Sequence, residues 1–136
     1  MSTFLLEIVT PDHLAYSGEV ESLTVRGVEG ELGILPGHIP MVTPLQVAPL
    51  AIKTAKKTSY IAVNGGFVEV RKDKVVVLAE SAEAAEEIDL QRAEAAKERA
   101  ERRLAFKDKQ DEIDFRRAEL SLKKAMNRIK VYSSNK

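Results

Sequence analysis

The sequence VVVLAESAEAAEEIDLQRA, residues 75–93, contains the point at which the chain changes character. It begins with β-branched and aliphatic residues typical of a strand and ends in alanine and charged residues that favour a helix. All seven glycines and all five prolines precede Glu80, and charged residues rise from 15 of the first 79 residues to 27 of the last 57. The chain is therefore predicted to be a β-domain, residues 1–84, followed by a helical part, residues 85–136.

The N-terminal part is predicted to be all-β because short runs of β-branched residues alternate with glycine and proline. The predicted strands cover residues 4–9, 20–25, 60–63, 67–71 and 75–78. A sheet with one apolar face must cover that face, so these strands indicate a sandwich or a flattened barrel. Asn64-Gly65-Gly66 tolerates positive φ and predicts a hairpin turn between the strands on either side.

Residues 85–136 are predicted to form an antiparallel hairpin of two helices, since apolar residues recur at spacings of three and four. The two stripes are Leu90, Ala93, Ala96, Ala100 and Leu104, and Phe115, Ala118, Leu122, Ala125, Ile129 and Tyr132. The polar residues 106–112 are predicted to reverse the chain. Alanine buries little apolar surface, at about 25 cal/mol per Å², while ordering each residue costs roughly 1–2 kcal/mol. The hairpin is therefore expected to be marginally stable and open to control by a ligand or partner.

Composition excludes several classes of function. The formal charge is zero, so no whole-chain field attracts nucleic acid or an anionic membrane. The chain has no cysteine and only two histidines, which limits metal and nucleophile chemistry. It has neither a secretory signal pattern nor an apolar run of about 20 residues that could span a bilayer. We expect a protein that stays in the cytoplasm unless a partner holds it at a membrane.

Catalytic motifs are missing, including the phosphate loop, the dinucleotide fingerprint and the zinc-protease pattern. The glycines between Gly27 and Gly37 are interpreted as turn residues, because Glu29 and Glu31 place acidic charge where a phosphate would lie. His38 has no second ligand type nearby and is interpreted as a structural or interface residue. The chain is predicted not to be an enzyme, with a small free-standing enzyme kept as a remote alternative.

One group of charged residues could form a binding site. Asp89 and Arg92 are three apart in the first helix, and Lys124 and Arg128 are four apart in the second, so each pair shares a helical face. With Glu83 they could bind a nucleotide, the acids accepting from base or ribose and the cations meeting phosphates. The alternative interpretation is that they are solvated charges on two highly charged helices. The basic second helix could also bind an acidic protein surface.

Six sequence strings resemble one known family along nearly the whole chain. Residues 9–12 (VTPD), 30–38 (GELGILPGH) and 65–70 (GGFVEV) resemble the β-domain of F-type ATP synthase epsilon subunits. Residues 88–93 (IDLQRA), 117–120 (RAEL) and 124–128 (KAMNR) resemble the C-terminal part of epsilon subunits of the bacillus type. In that type the Ile/Leu-Asp-x-x-Arg-Ala motif marks an ATP site.

The resemblance implies a ten-stranded flattened β-sandwich or barrel plus a helical hairpin, at the cytoplasmic face of the plasma membrane. The implied partners are the gamma subunit, the c-ring and the catalytic alpha and beta subunits, with no nucleic acid and no membrane insertion. Glu31 and His38 are predicted to contact the c-ring or gamma.

The resemblance also implies an ATP site in the hairpin, with ATP as a regulatory ligand and magnesium left open. The predicted ATP-binding residues are Glu83, Ile88, Asp89, Arg92, Ala93, Lys124 and Arg128. Lys124 departs from the family pattern, in which arginine is expected, so phosphate contact is predicted to survive with altered affinity.

Two functions remain open on the sequence. In the first, the chain is a coupling subunit whose extended helices inhibit ATP hydrolysis and whose folded hairpin is stabilised by ATP. In the second, it is a purely structural adapter that does not sense nucleotide. Loss of ATP affinity on substitution of Asp89 or Arg92 separates the two.

Overall fold

The computed structural model describes residues 2–55, 57–106 and 112–134. The strands are β1 (Phe4–Val9), β2 (Leu14–Val20), β3 (Ser22–Gly27), β4 (Gly30–Ile34), β5 (Met41–Lys53), β6 (Thr58–Val70), β7 (Lys74–Ala79) and β8 (Ala82–Ala84). A single 3₁₀ turn, Ala85–Glu87, leads to the helices α1 (Leu90–Ala105) and α2 (Glu112–Ser134).

The strands lie in the order β2-β1-β7-β6-β5-β3-β4, and β8 pairs with β6 outside this path. All pairs are antiparallel except β1 with β7. Buried apolar residues from all eight strands form one core, so the sheet folds over its own apolar face. The predicted fold class is confirmed, with a sheet that does not close; the described residues form eight strands where the resemblance implied ten.

The predicted hairpin at Asn64-Gly65-Gly66 is wrong. Strand β6 continues through these residues and keeps one register with β5, from Met41↔Val70 to Lys53↔Thr58. What changes at the glycines is the partner on the other edge of β6, which is β7 from Gly66 onward and β8 before Asn64. The positive φ angles of Gly65 (92°) and Gly66 (138°) therefore shape the strand where it changes neighbours, and do not reverse it.

Strand β5 ends at Lys53 and its antiparallel neighbour β6 begins at Thr58, and between them the backbone N–H of Thr54 donates to the carbonyl of Lys57 at 2.9 Å. The sequence that joins these two strands contains neither glycine nor proline, which is why composition did not indicate a reversal there.

The two helices pack against each other through the predicted stripes. Ala93 and Ala100 of α1 and Ala118 and Ala125 of α2 are buried. The predicted chain reversal at residues 106–112 falls largely on residues 107–111, outside the described residues.

Candidate functional site

Helix α2 has two buried faces. One holds Ala118 and Ala125, on the predicted stripe that packs against α1. The other holds Asn127 and Val131, which were not predicted to be buried. Asn127 is nine residues from Ala118, or two and a half turns at about 3.6 residues per turn, and so points the opposite way. The second helix therefore lies between α1 and the β-domain.

The sheet side of α2 rests on a small apolar cluster separate from the main core. Ala62 of β6, Ala85, Ile88 and Val131 are buried together, and the rings of Tyr60 and Tyr132 pack around them. Ile88, one of the predicted ATP-binding residues, thus lies beneath α2 as a packing residue. This contact holds the helical part against the β-domain.

The start of α1 is fixed by local hydrogen bonds. Asp89 is the N-cap residue, and its Oδ1 accepts from the backbone N–H of Arg92 at 3.1 Å. Glu87 Oε1 accepts from the backbone N–H of Ala84 at 3.0 Å. The Asp89 carboxylate therefore has a structural role at the helix N-terminus. The side chain of Arg92 is exposed, and Ala93 is buried.

Two cations of α2 face acids of the strand region. Arg128 Nε donates to Glu83 Oε1 at 2.5 Å, and both side chains are about 30% exposed, so solvent only partly screens the pair. Lys124 Nζ lies 3.9 Å from Glu80 Oε2. Three predicted site residues, Glu83, Lys124 and Arg128, are therefore brought together where α2 meets the segment that leads to α1.

A groove of about 280 Å³ runs between the two helices. Four cations line it: Arg99, Arg103, Lys124 and Arg128. The other lining residues that the structure describes are Ser121, Ala96 and Ala100. No carboxylate is among the described lining residues. We call this the cationic groove. Four positive charges around one cavity repel each other until an anion or nearby acids offset them, so the groove suits a polyanion.

The cationic groove contains only part of the predicted site. Lys124 and Arg128 line the groove, and Glu83 lies outside the lining but pairs with Arg128. The other four predicted residues lie at the start of α1, outside the lining: Ile88, Asp89, Arg92 and Ala93. Three residues that line the groove were not predicted from the sequence: Arg99, Arg103 and Ser121. The sequence did contain a pattern that indicated the two arginines, because Arg99 and Arg103 are four apart, as Lys124 and Arg128 are, and flank the alanine stripe.

The predicted interface residues lie apart from this groove and from each other. Glu31 is exposed on β4 and lines a cleft with Arg26 and Lys130. His38 follows β4 in the loop of Gly37, lines a different cleft, and its Nδ1 is 2.8 Å from the carbonyl oxygen of Ile39. Leu35 and Ile39 on either side of it are 62% and 78% exposed. This loop therefore exposes two large apolar side chains to solvent.

A second apolar surface lies on the sheet. Phe67 of β6 and Leu78 of β7 are directly paired and each is about half exposed. Val42 of β5 pairs with Glu69, two residues from Phe67, and so lies on the same face. We call these three residues the apolar sheet patch. Large apolar side chains grouped on an exposed face are typical of a protein interface.

Among the described residues, no group of three or more acidic, histidine or cysteine side chains is arranged to hold a metal ion. None of the helices in the described part of the chain is long and apolar enough to span a membrane.

Family models of the ATP synthase delta/epsilon chain match this sequence, that of its β-sandwich domain over residues 3–85 and that of its long α-helix domain over residues 86–133. The ATP synthase epsilon chain of Bacillus cytotoxicus is 56% identical over 131 residues, covering 96% of this chain and 97% of the relative. That of Brevibacillus brevis is 54% identical over 108 residues, covering 79% and 82%.

A solved structure shares the fold. A chain in the OSCP/F1/c-ring assembly of the Euglena gracilis mitochondrial ATP synthase aligns with a TM-score of 0.78 at 24% identity, covering 99% of this chain and 82% of that one. Two family models that together span residues 3–133, and relatives above 50% identity, confirm the predicted resemblance. The chain belongs to the epsilon-subunit family of the F-type ATP synthase, a non-catalytic accessory subunit of the central stalk.

Proposed function

We propose that this chain couples rotation to ATP synthesis within the complex, and that its helices restrain ATP hydrolysis when they leave the docked position seen here. ATP bound in the cationic groove stabilises the docked hairpin. The observation that carries this proposal is the groove itself, since its four cations come from both helices and converge only when α1 and α2 are folded together.

The charges support a polyphosphate ligand. Arginine and lysine bind phosphate oxygens by charge-assisted hydrogen bonds, and the groove offers three arginines and one lysine. Glu83 pairs with Arg128 and Glu80 lies near Lys124, so nearby acids partly offset the charges of the α2 cations while no ligand is present. The base and ribose of ATP would extend toward Asp89 and Arg92.

The weak contact between the two helices suits a hairpin whose docking responds to ATP. The contact between the helices is built mostly on alanine, so the docked hairpin is held by little apolar area. A ligand that binds only this form stabilises it by about 2.7 kcal/mol at a hundredfold excess over its dissociation constant. That amount is enough to reverse a marginal equilibrium. The groove lining described has no carboxylate to activate water, so we expect binding without hydrolysis.

Calorimetric titration of the isolated chain with ATP, with and without magnesium, tests this function. We expect saturable one-to-one binding that weakens about tenfold or more in Arg99→Ala, because one charge-assisted contact is worth roughly 1.5–3 kcal/mol. Arg102→Ala is the matched control, since Arg102 lies on the same helix but does not line the groove.

The alternative function makes the opposite prediction. A structural adapter that does not sense nucleotide shows no binding at millimolar ATP in any of these proteins. Arg92→Ala extends the test to the start of α1. Asp89→Asn is preferable to Asp89→Ala there, because asparagine also caps helices and alanine costs about 1 kcal/mol at that position.

The partners proposed for this chain are the gamma subunit, the c-ring and the catalytic alpha and beta subunits, at the cytoplasmic face of the membrane. The loop with His38, and Glu31, are the proposed contacts with the c-ring or gamma. The apolar sheet patch is the proposed contact with gamma. Family membership and the exposure of Phe67 and Leu78 support this assignment.

Phe67→Asp is expected to weaken capture of purified gamma at least tenfold, because it puts a charge into the centre of an apolar contact. Met126→Asp is the control, since Met126 is similarly exposed but lies on α2, away from the proposed contacts with gamma. Surface plasmon resonance measures both affinities, and circular dichroism confirms that each variant is folded. Equal affinities for Phe67→Asp and the unmodified chain would show that gamma binds elsewhere.

A further inference from the structure

A short chain of polar side chains joins α2 to the β-domain. Asn127 Nδ2 donates to the carbonyl of Val63 at 3.0 Å and to Asn64 Oδ1 at 3.3 Å. Asn64 Nδ2 in turn donates to Ser81 Oγ at 2.8 Å. Asn127 is 5% exposed and Asn64 is 1% exposed, so these bonds are shielded from water. One helix residue is thereby fixed to the point at which β6 changes its edge partner.

This arrangement does not serve to maximise stability. Asn127 Oδ1 is buried and has no hydrogen-bond partner among the described residues. An unpaired buried carbonyl oxygen is unfavourable, and apolar residues at both positions 64 and 127 would avoid unpaired oxygens there. Val131, one turn further on, is fully buried and already supplies apolar contact. The hydrogen bonds of Asn127 fix the position and rotation of α2 on the sheet, whereas apolar contact alone permits the helix to slide.

The residues next to Asn127 are those that line the cationic groove. Arg128 follows it directly and Lys124 precedes it by three residues. A slip of α2 by one residue would translate the helix by about 1.5 Å and rotate its side chains by about 100°, which would carry Arg128 away from Glu83. A residue that prevents such a slip therefore controls where both cations lie.

We propose that Asn127 is a positioning residue for the cationic groove: its bonds to Val63 and Asn64 set the register of α2 on the sheet, which places Arg128 and Lys124. The ligand part of this inference rests on the proposed ATP site. The placement of Arg128 against Glu83 does not depend on it. Buried polar groups that specify register at the expense of stability are known in other helical contacts.

The test uses Asn127→Leu and Asn127→Ala in the full chain, with Met126→Ala as the control on the exposed side of the same helix. Leucine can hold the helix by apolar contact, and alanine cannot clash. We expect α2 to stay docked in both variants, with hydrogen exchange of the Val131 amide still protected, while the ATP dissociation constant rises tenfold or more. Unchanged ATP affinity with docking retained would overturn the proposal. Loss of protection in both variants would also overturn it, since Asn127 would then hold the helix and not position it.

A readout without nucleotide separates this proposal from the proposed function. A double-mutant cycle of Glu83→Gln and Arg128→Gln, followed by thermal unfolding, measures the coupling between the two side chains. We expect measurable coupling in the unmodified chain and its loss in the Asn127→Leu background. If no protein binds ATP but the coupling behaves in this way, the ATP site fails and the positioning role stands. Coupling that persists in the Asn127→Leu background would overturn the positioning role.

Discussion

Replacement of Gly66 by alanine is expected to lower the free energy of unfolding of the β-domain by about 4 kcal/mol, from backbone strain and overpacking of roughly 1–3 kcal/mol each. Gly66 has φ of 138°, which L side chains rarely adopt. An added Cβ would lie 2.0 Å from the carbonyl oxygen of Leu78 and 2.9 Å from Cα of Ala79. Both obstacles are backbone atoms of β7, so they cannot rotate out of the way.

Urea unfolding followed by circular dichroism measures this effect. Gly33→Ala is the matched control, because an added Cβ at Gly33 meets nothing within 4 Å and its φ lies outside the positive range. We expect the control to change stability by less than about 1 kcal/mol, as surface substitutions usually do. Similar losses in the two variants would mean that β6 and β7 do not approach as closely at Gly66 as this structure has them.

The conformation of Gly66 also explains why the sequence predicted a hairpin turn at residues 64–66, where the structure has a continuous strand. Asn-Gly-Gly between two β-branched runs is a strong local hairpin signal, because it supplies positive φ. The same φ values serve a strand that changes neighbours, and only the partners decide which outcome occurs. Those partners lie elsewhere in the chain. The sequence that joins β5 to β6 carries no glycine or proline, so local composition indicated neither the reversal between these strands nor the length of β6.

The helices were more predictable because their pattern is local. Spacings of three and four identified the buried alanines of both helices. The pattern did not reveal the second buried face of α2, since its members include a polar residue, Asn127, and a single valine. A polar residue at a contact cannot be recognised by hydrophobicity. Its role appears only when the partners Val63 and Asn64, more than 60 residues away, are placed beside it.

The cationic groove was only partly predictable from the sequence. The spacing of Lys124 and Arg128 was visible in the sequence, and so was that of Arg99 and Arg103. With 27 charged residues among the last 57, however, spacing alone cannot say which pairs face each other across two helices. That choice depends on how the helices are aligned, and therefore on the contact between α2 and the sheet.

Arg128→Glu is expected to weaken ATP binding at least a hundredfold. It removes a groove cation, worth roughly 1.5–3 kcal/mol to a charged acceptor, and adds a carboxylate beside the incoming phosphates. It also places two carboxylates where Arg128 now pairs with Glu83, which disfavours the docked hairpin. Calorimetry measures the affinity, and hydrogen exchange of α2 measures docking. Arg117→Glu makes the same charge change at an exposed site of the same helix and should leave both unchanged.

The exchanged pair Glu83→Arg with Arg128→Glu separates the two causes. It restores an ion pair of opposite polarity between β8 and α2, so we expect protection of α2 to recover toward that of the unmodified chain. The new arginine stands on β8 and not in the groove, so ATP affinity should stay low. Recovery of docking without recovery of ATP binding would assign Arg128 two functions, one as a tether and one as a phosphate ligand. Recovery of both would mean that docking alone limits ATP binding, and that Arg128 contributes only through its pair with Glu83.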